Sequence, residues 1–336
     1  MKAVRTDQEL ECPTVDAGLR ARGLDLVTLP EGIPEDQLVA AVANADVLLM
    51  CYTPITARVI DAALRLRGIV KYGVGIDAID IEAAQRRRIP VVNIPEYAEE
   101  TVAEGAFALM IGLVRQLGPL HTAMQTTGWV WPVRQWLGHD LVGKTLGLVG
   151  VGRIGRSLAR MTGAGFRMRV IGYDPYVDEA TMREAGVEKC DQLSGLLSAA
   201  DFVSLHAVLN PETRHLIGRA ELARMKPSAI LINVSRGALV DEAALVEALL
   251  AGRIAGAGLD VFSREPLSHS GHLLSPLFAL PNVLLTPHLT FYTHEAMERL
   301  ERETLQRCDE LIEGRPVLVK SRDPRLRRQS HGVVFA

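Results

Sequence analysis

The stretch Lys144–Asp174, KTLGLVGVGRIGRSLARMTGAGFRMRVIGYD, constrains this chain more than any other. It opens on an apolar run, Thr145–Val149, whose length and composition suit a buried strand of a parallel sheet. Gly150, Gly152 and Gly155 follow in the spacing G-x-G-x-x-G, then a helix-patterned segment carrying Ile154, Leu158 and Met161. A second apolar strand, Met168–Tyr173, ends on Asp174, about twenty positions after the last glycine. A tight turn needs Gly150, close approach of a pyrophosphate to the backbone needs Gly152, and packing of helix on strand needs Gly155. The helix starting there aims unpaired amides and its positive dipole end at phosphate. Glycine-rich turns are common, so the triplet alone is weak; strand, turn, helix, strand and acid in this order is a far stronger signal. The acid also selects. Asp174 can accept from both ribose hydroxyls and would repel a 2′-phosphate. Pro175, Tyr176 and Val177 offer no cation to meet such a phosphate, so NAD is expected over NADP.

Around this unit, short apolar strands alternate with amphipathic segments. Candidate strands before it are Leu24–Leu29, Asp46–Cys51, Ile69–Gly73 and Pro90–Ile94, with helical stretches Glu35–Ala43, Ala57–Leu66, Ile81–Arg88 and Glu99–Leu117. After it come strands Asp201–His206, Ala229–Val234, Ala255–Asp260 and Asn282–Thr286, and a last helix Thr293–Glu313. A βα series of this kind makes a parallel sheet with helices on both faces. At 336 residues, two doubly wound α/β domains are expected: a Rossmann NAD-binding domain inserted into a flavodoxin-like substrate domain. The expected division is 1–97 for the first part of the substrate domain, 98–290 for the NAD-binding domain with a dimerisation arm, 291–319 for a return helix, and 320–336 for a basic tail. A hydrophobic share of 48%, a charged share of 23% and a net charge of −3 fit an ordinary soluble protein. They give no reason to expect nucleic acid or a membrane as partner. Cys12, Cys51, Cys190 and Cys308 lack ligand spacing and are expected as free thiols in a cytoplasmic setting with no metal site.

Four further clusters fall just past strands, where doubly wound sheets keep their sites. Tyr72-Gly73-Val74-Gly75-Ile76-Asp77 is a glycine turn whose amides suit a small anion such as a carboxylate, or are simply part of a β-to-α turn. In Asn233-Val234-Ser235-Arg236-Gly237 the arginine suits a bidentate grip on a carboxylate, although a locally paired surface residue has the same look. Asp260 ends a strand, Glu265 sits before Pro266, and His288 follows Thr286-Pro287. Singly, each has a bland explanation. Together they are the set a hydride-transfer site requires: a cation for the carboxylate, a histidine for the hydroxyl proton, and an acid that orients the histidine.

These stretches are similar to the D-isomer-specific 2-hydroxyacid dehydrogenases, nearest the branch of phosphoglycerate dehydrogenase and the C-terminal binding proteins. The likeness rests on KYGVGIDAID, GLVGVGRIG, MKPSAILINVSRGALVDEAAL, AGAGLDVFSREPL and LLTPHLTFYTHEA, in order along nearly the whole chain. It implies a catalytic trio of Arg236, Glu265 and His288, and substrate contacts from Tyr52, Val74, Gly75, Ile76, Arg236, His288 and Phe291. Arg153 and Ile154 would lie on the pyrophosphate, Asp174 on the ribose and Asp260 on the nicotinamide carboxamide. Thr101, His206, Thr213, Val234, Ser235, Arg236 and His288 match positions that line the cofactor groove beside Gly150, Gly152 and Gly155. Tyr97 and Tyr292 are further candidates for pocket walls. A homodimer through the NAD-binding domains is implied, with Glu99–Leu117 and Trp129, Trp131 and Trp136 as candidate contacts and Arg134 or Trp136 reaching the partner's pocket.

The expected activity is interconversion of a small 2-oxo acid and its (R)-2-hydroxy acid. Two alternatives are an NAD(H)-sensing regulatory protein like the C-terminal binding proteins, and the same chemistry on a phosphorylated or inorganic anion. Some positions depart from the family pattern. Gly105 stands where an aromatic or histidine is usual, Val208 where a proline often stands, and Leu289 and Thr290 where small residues are usual. The tail with Arg322, Arg325, Arg327 and Arg328 has no counterpart there and is expected as a solvated basic extension.

Overall fold

The computed structural model describes residues 1–336 and separates them into two units, Met1–Ala98 with Thr293–Ala336, and Glu99–Tyr292. In the first unit β1 (Lys2–Arg5), β2 (Asp25–Thr28), β3 (Val47–Met50), β4 (Gly68–Lys71) and β5 (Val91–Asn93) lie parallel in the order β2-β1-β3-β4-β5. Helices α1 (Pro13–Ala21), α2 (Glu35–Val42), α3 (Ala57–Ala62) and α4 (Ile81–Arg86) connect them. Every residue of β3, β4 and β5 is buried, as a parallel sheet covered on both faces requires. Strand β1 escapes a hydrophobicity search because KAVR holds only two apolar residues; its Arg5 is buried against Asp16 at 2.7 Å. Past its tip, Asp7 takes a left-handed φ of 57°. Its carboxylate accepts from the amides of Cys51, Tyr52 and Thr53 at 2.7, 3.0 and 3.0 Å, fixing the loop after β3.

The second unit begins with α5 (Glu99–Val114) and α6 (Leu117–Thr127). A single helix to Leu117 was expected; Gln116, at a φ of 50°, breaks it and a second helix follows. Then come β6 (Thr145–Val149), α7 (Arg153–Arg160), β7 (Arg169–Tyr173), α8 (Glu179–Glu184), β8 (Glu188–Lys189), α9 (Leu193–Ala199) and β9 (Phe202–Leu205). The series ends with α10 (Arg219–Arg224), β10 (Ile230–Asn233), α11 (Glu242–Leu250), β11 (Gly256–Leu259) and β12 (Val283–Leu285). All seven strands are parallel, in the order β12-β11-β10-β9-β6-β7-β8. Alternation along the strands divides the core. Leu146, Leu148 and Ile232 pack with Ala106, Leu109 and Met110 of α5, while Val149, Val203 and Leu231 pack with Leu196, Leu222 and Leu245 on the opposite face.

The chain then returns to the first unit as α12 (His294–Ile312), β13 (Val317–Val319), α13 (Pro324–Arg327) and β14 (Val333–Phe335). The expectation of a solvated basic extension holds for Arg322, Arg327 and Arg328, which are exposed, but the segment is also docked. Leu326 is 0% exposed, Ser321 and Gln329 are buried, and β14 pairs in parallel with β13. Of its arginines, Arg325 bonds Asp323 and Arg327 stacks over the ring of Phe335 at 4.9 Å, while Arg322 and Arg328 are exposed.

Candidate functional site

The three glycines of the turn after β6 do three different jobs. Gly150 has a φ of 95°, and a Cβ there would come within 2.6 Å of the Ala207 nitrogen on the turn after β9. Gly155 packs α7 onto the strand, since its Cβ would meet the Gly150 carbonyl oxygen at 2.5 Å. At Gly152 a Cβ would meet nothing within 4 Å, so the backbone there faces open space. Gly152 is the N-cap of α7 with no side-chain cap, leaving first-turn amides without intrahelical acceptors. Asp174, at the tip of β7, is held by the Val151 and Tyr176 amides, each at 2.9 Å. This cradle fits a dinucleotide: open backbone at the turn, unpaired amides for phosphate, a fixed carboxylate for ribose. The Arg153 side chain pairs with Glu99 at 3.0 Å. It lines a groove of about 740 Å³ along α7 that does not include Arg236, Glu265 or His288.

Other expected cofactor positions cluster at neighbouring strand tips. His206 ends β9 with Nε2 2.9 Å from the Ser204 hydroxyl and a buried Nδ1 without a partner. Burial lowers its pKa to about 4, so it is neutral near pH 7. Ser235 donates to the Ala207 carbonyl at 2.7 Å, tying β10's tip to that turn. Thr213 bonds Val208 and Asn210 and so shapes its own loop. Thr101 and Val234 are buried.

The second unit brings Glu265 and His288 together. Nδ1 of His288 lies 2.9 Å from Oε2 of Glu265, while Oε1 accepts from the Phe262 amide at 2.9 Å. Both carboxylate oxygens are thus occupied, and the ring is turned so that Nε2 points away from the acid. Burial would raise the Glu265 pKa, but the hydrogen bond and charge of His288, the Phe262 amide and the nearby Arg236 outweigh it and hold the group below its ordinary value. Arg236 follows β10, where Asn233 Nδ2 donates to its carbonyl at 2.9 Å. Gly237 then runs flat against the Glu265 loop: a Cβ would sit 2.0 Å from the Phe262 carbonyl carbon. Glu242 accepts from the Ser263 amide at 2.7 Å, a clamp the sequence showed only as an acidic helix start. His288 has a left-handed φ of 58°, and its ring meets Phe291 edge-on at 6.4 Å. Phe291 is buried and in turn meets Tyr292 at 5.9 Å.

Asp260, expected on the nicotinamide carboxamide, also holds the loop that carries His288. It is 0% exposed, and its carboxylate accepts from the Thr286 hydroxyl and Leu289 amide on one oxygen, and from the Thr290 amide and hydroxyl on the other. Four donors meet its two oxygens, so it pins the His288 loop. Two departures from the family pattern explain each other here. A Cβ on Gly105 of α5 would lie 2.5 Å from Thr290 Cβ, so glycine at one position makes room for threonine at the other.

In the first unit the glycine turn follows β4. Gly73 has a φ of 152°, Val74 is exposed, and Asn93 at the tip of β5 donates to the Val74 carbonyl at 2.6 Å. Lys71 is buried 3.1 Å from Cys51 Sγ and 5.3 Å from the Tyr52 ring. Tyr97 is buried, its carbonyl accepting from Arg299 at 2.7 Å. Asp7 and Asn93, which hold these loops, drew no notice in the sequence; a polar residue ending a strand was the available signal.

Residues 107–290 match the family described as D-isomer specific 2-hydroxyacid dehydrogenase, NAD binding domain. A glyoxylate reductase of Korarchaeum cryptofilum is 43% identical over 266 residues, 78% of each chain. A D-3-phosphoglycerate dehydrogenase of Methanocaldococcus jannaschii is 40% identical over 289 residues, 86% of this chain and 54% of the relative, so the chain spans about half the length of that protein. Among solved structures, a D-lactate dehydrogenase of Aquifex aeolicus complexed with NAD and lactic acid superposes with a TM-score of 0.82 at 30% identity, covering 93% of this chain and 96% of the other. No helix is long and apolar enough to cross a membrane.

Proposed function

The chain belongs to the D-isomer specific 2-hydroxyacid dehydrogenase family, and on that premise we propose that it interconverts a small 2-oxo acid and the matching (R)-2-hydroxy acid, with NAD preferred over NADP. The observation that carries this reading is the Glu265–His288 pair at 2.9 Å, set beside Arg236 in a unit with a dinucleotide cradle. A nicotinamide cofactor held by the Gly150–Gly155 turn and Asp174 supplies the hydride. His288 gives its proton to the substrate oxygen in reduction and takes it back in oxidation. Glu265 fixes the ring's orientation. Arg236 is assigned to grip a carboxylate, and within the first unit the amides of Val74, Gly75 and Ile76 are suited to hold one. Phe291 supplies an apolar wall beside the histidine.

The NAD preference follows from Asp174, whose carboxylate would repel a 2′-phosphate. A purely regulatory role has no use for a proton relay backed by a second acid. The four cysteines are free thiols, which supports a cytoplasmic location. The exposed α6 and the arm after it are assigned to a homodimer contact.

The test is oxidation of NADH and NADPH by the purified protein with a panel of 2-oxo acids, one of them phosphorylated. Turnover with at least one acid and NADH is expected. The His288→Ala variant should lose turnover by about 10²–10⁴-fold while binding NADH as before. Absence of turnover across the panel would overturn the activity, and full turnover in the variant would overturn the assignment of the proton donor.

A further inference from the structure

We propose that the C-terminal segment is a strap that holds the Gly73–Asp77 loop in place, with Arg325 as its positioning residue. The inference rests on the reading that this loop holds the substrate carboxylate. A turn with two glycines, one at a φ of 152°, has little stiffness of its own. Its frame must come from outside. Beyond Asp77 the chain is pinned by backbone bonds, Ile55 amide to Ala78 carbonyl at 2.7 Å and Asp80 amide to Ile55 carbonyl at 2.9 Å. At its front, Asn93 holds the Val74 carbonyl.

The tail reaches both supports. Asp323 takes Nε and Nη2 of Arg325 at 3.1 and 2.8 Å, setting the plane of the guanidinium, and Nη2 also reaches Asp77 Oδ1 at 3.3 Å. Gln85 of α4 donates to the Arg325 carbonyl at 3.1 Å, which fixes the backbone beneath it. Farther along, the Gln329 amide accepts from the Val91 N–H at 2.7 Å and donates to the Val91 carbonyl at 2.9 Å. It thus acts as a one-residue strand on the free edge of β5, two positions before Asn93. Leu326, fully buried between the two contacts, keeps the strap down.

The contact with Asp77 is half-exposed and screened by solvent, so its effect is modest and removing it leaves the fold intact. Arg325→Ala should raise KM for the 2-oxo acid about two- to fivefold, with kcat and KM for NADH unchanged and Arg325→Lys restoring part of the loss. Hydrogen exchange of the amides in Gly73–Asp77 should quicken in Arg325→Ala and stay as in the parent elsewhere in the first sheet. Unchanged exchange in that loop would overturn the strap. Faster exchange with an unchanged KM would leave the strap standing and overturn the loop's role as carboxylate holder. A KM increase accompanied by an equal loss of kcat would also overturn the positioning role, since it points to general damage.

Discussion

At Glu265 two opposing effects act on one carboxyl group. Desolvation favours the neutral acid; the His288 bond and charge, the Phe262 amide and Arg236 favour the anion, and the anion wins. A carboxyl whose pKa is lowered by folding contributes stability above the unfolded value of about 4.3, and this is lost as the pH falls through the folded value. Glu265→Gln should therefore cost on the order of 1 kcal/mol at pH 7 in urea unfolding, and the two proteins should converge as the pH falls through the lowered value of the folded carboxyl. A difference that persists in acid would mean the carboxylate's charge is not what stabilises this loop. The neighbouring Asp260 shows what residue type alone leaves out. Its position past a strand resembled a cofactor contact, but only coordinates reveal that Thr286, Leu289 and Thr290 already supply four donors.

Elements were legible to the degree that their cause is local. The turn between β6 and α7 was plain in the sequence because each glycine answers a backbone demand within a few residues, as the close approaches at Gly150 and Gly155 bear out. The buried strands were equally plain from their continuous apolar runs. Strand β1 and the tail were not, because their burial depends on partners far along the chain: Val4 on Leu48, Gln329 on Val91. The fit between α5 and the His288 loop was visible only as two separate departures, Gly105 and Thr290. That fit predicts a sign reversal. In the parent protein Gly105→Ala gains about 1 kcal/mol of helix propensity but meets Thr290 Cβ at 2.5 Å, and overpacking of about 1–3 kcal/mol should outweigh the gain. With Thr290→Gly, Cβ and Cγ2 are gone and the nearest remaining atom is Cα at 3.2 Å, so Gly105→Ala should become neutral or stabilising. A double-mutant cycle by denaturant unfolding measures this directly. Simple additivity of the two changes would show that the pair does not share its space.

The whole molecule carries an apolar surface that neither unit's core uses. Helix α6 buries none of its residues, although it presents Leu117 and Met124. The arm after it exposes Trp129 by 64% and Trp131 by 74%, along with Val133 and Leu137, so the tryptophans are not core residues. Monomeric proteins rarely leave so contiguous an apolar stretch in water, and aromatic residues dominate the anchors of protein interfaces. The occupant proposed for it is a second copy, which fits the family's implied homodimer. A charge placed at the centre of such a contact lacks a partner and costs several kcal/mol, whereas on a free surface it costs almost nothing. Trp131→Glu should therefore shift sedimentation from dimer to monomer at micromolar concentration while leaving the thermal transition of the isolated chain unchanged. Arg134, exposed in the short turn Arg134–Trp136, tests whether the arm also serves chemistry. If it reaches the partner's substrate site, Arg134→Ala keeps the dimer but raises KM for the 2-oxo acid, and the Trp131→Glu monomer shows the same increase. A monomeric parent protein would remove both ideas, and an unchanged KM in an intact Arg134→Ala dimer would remove the second alone.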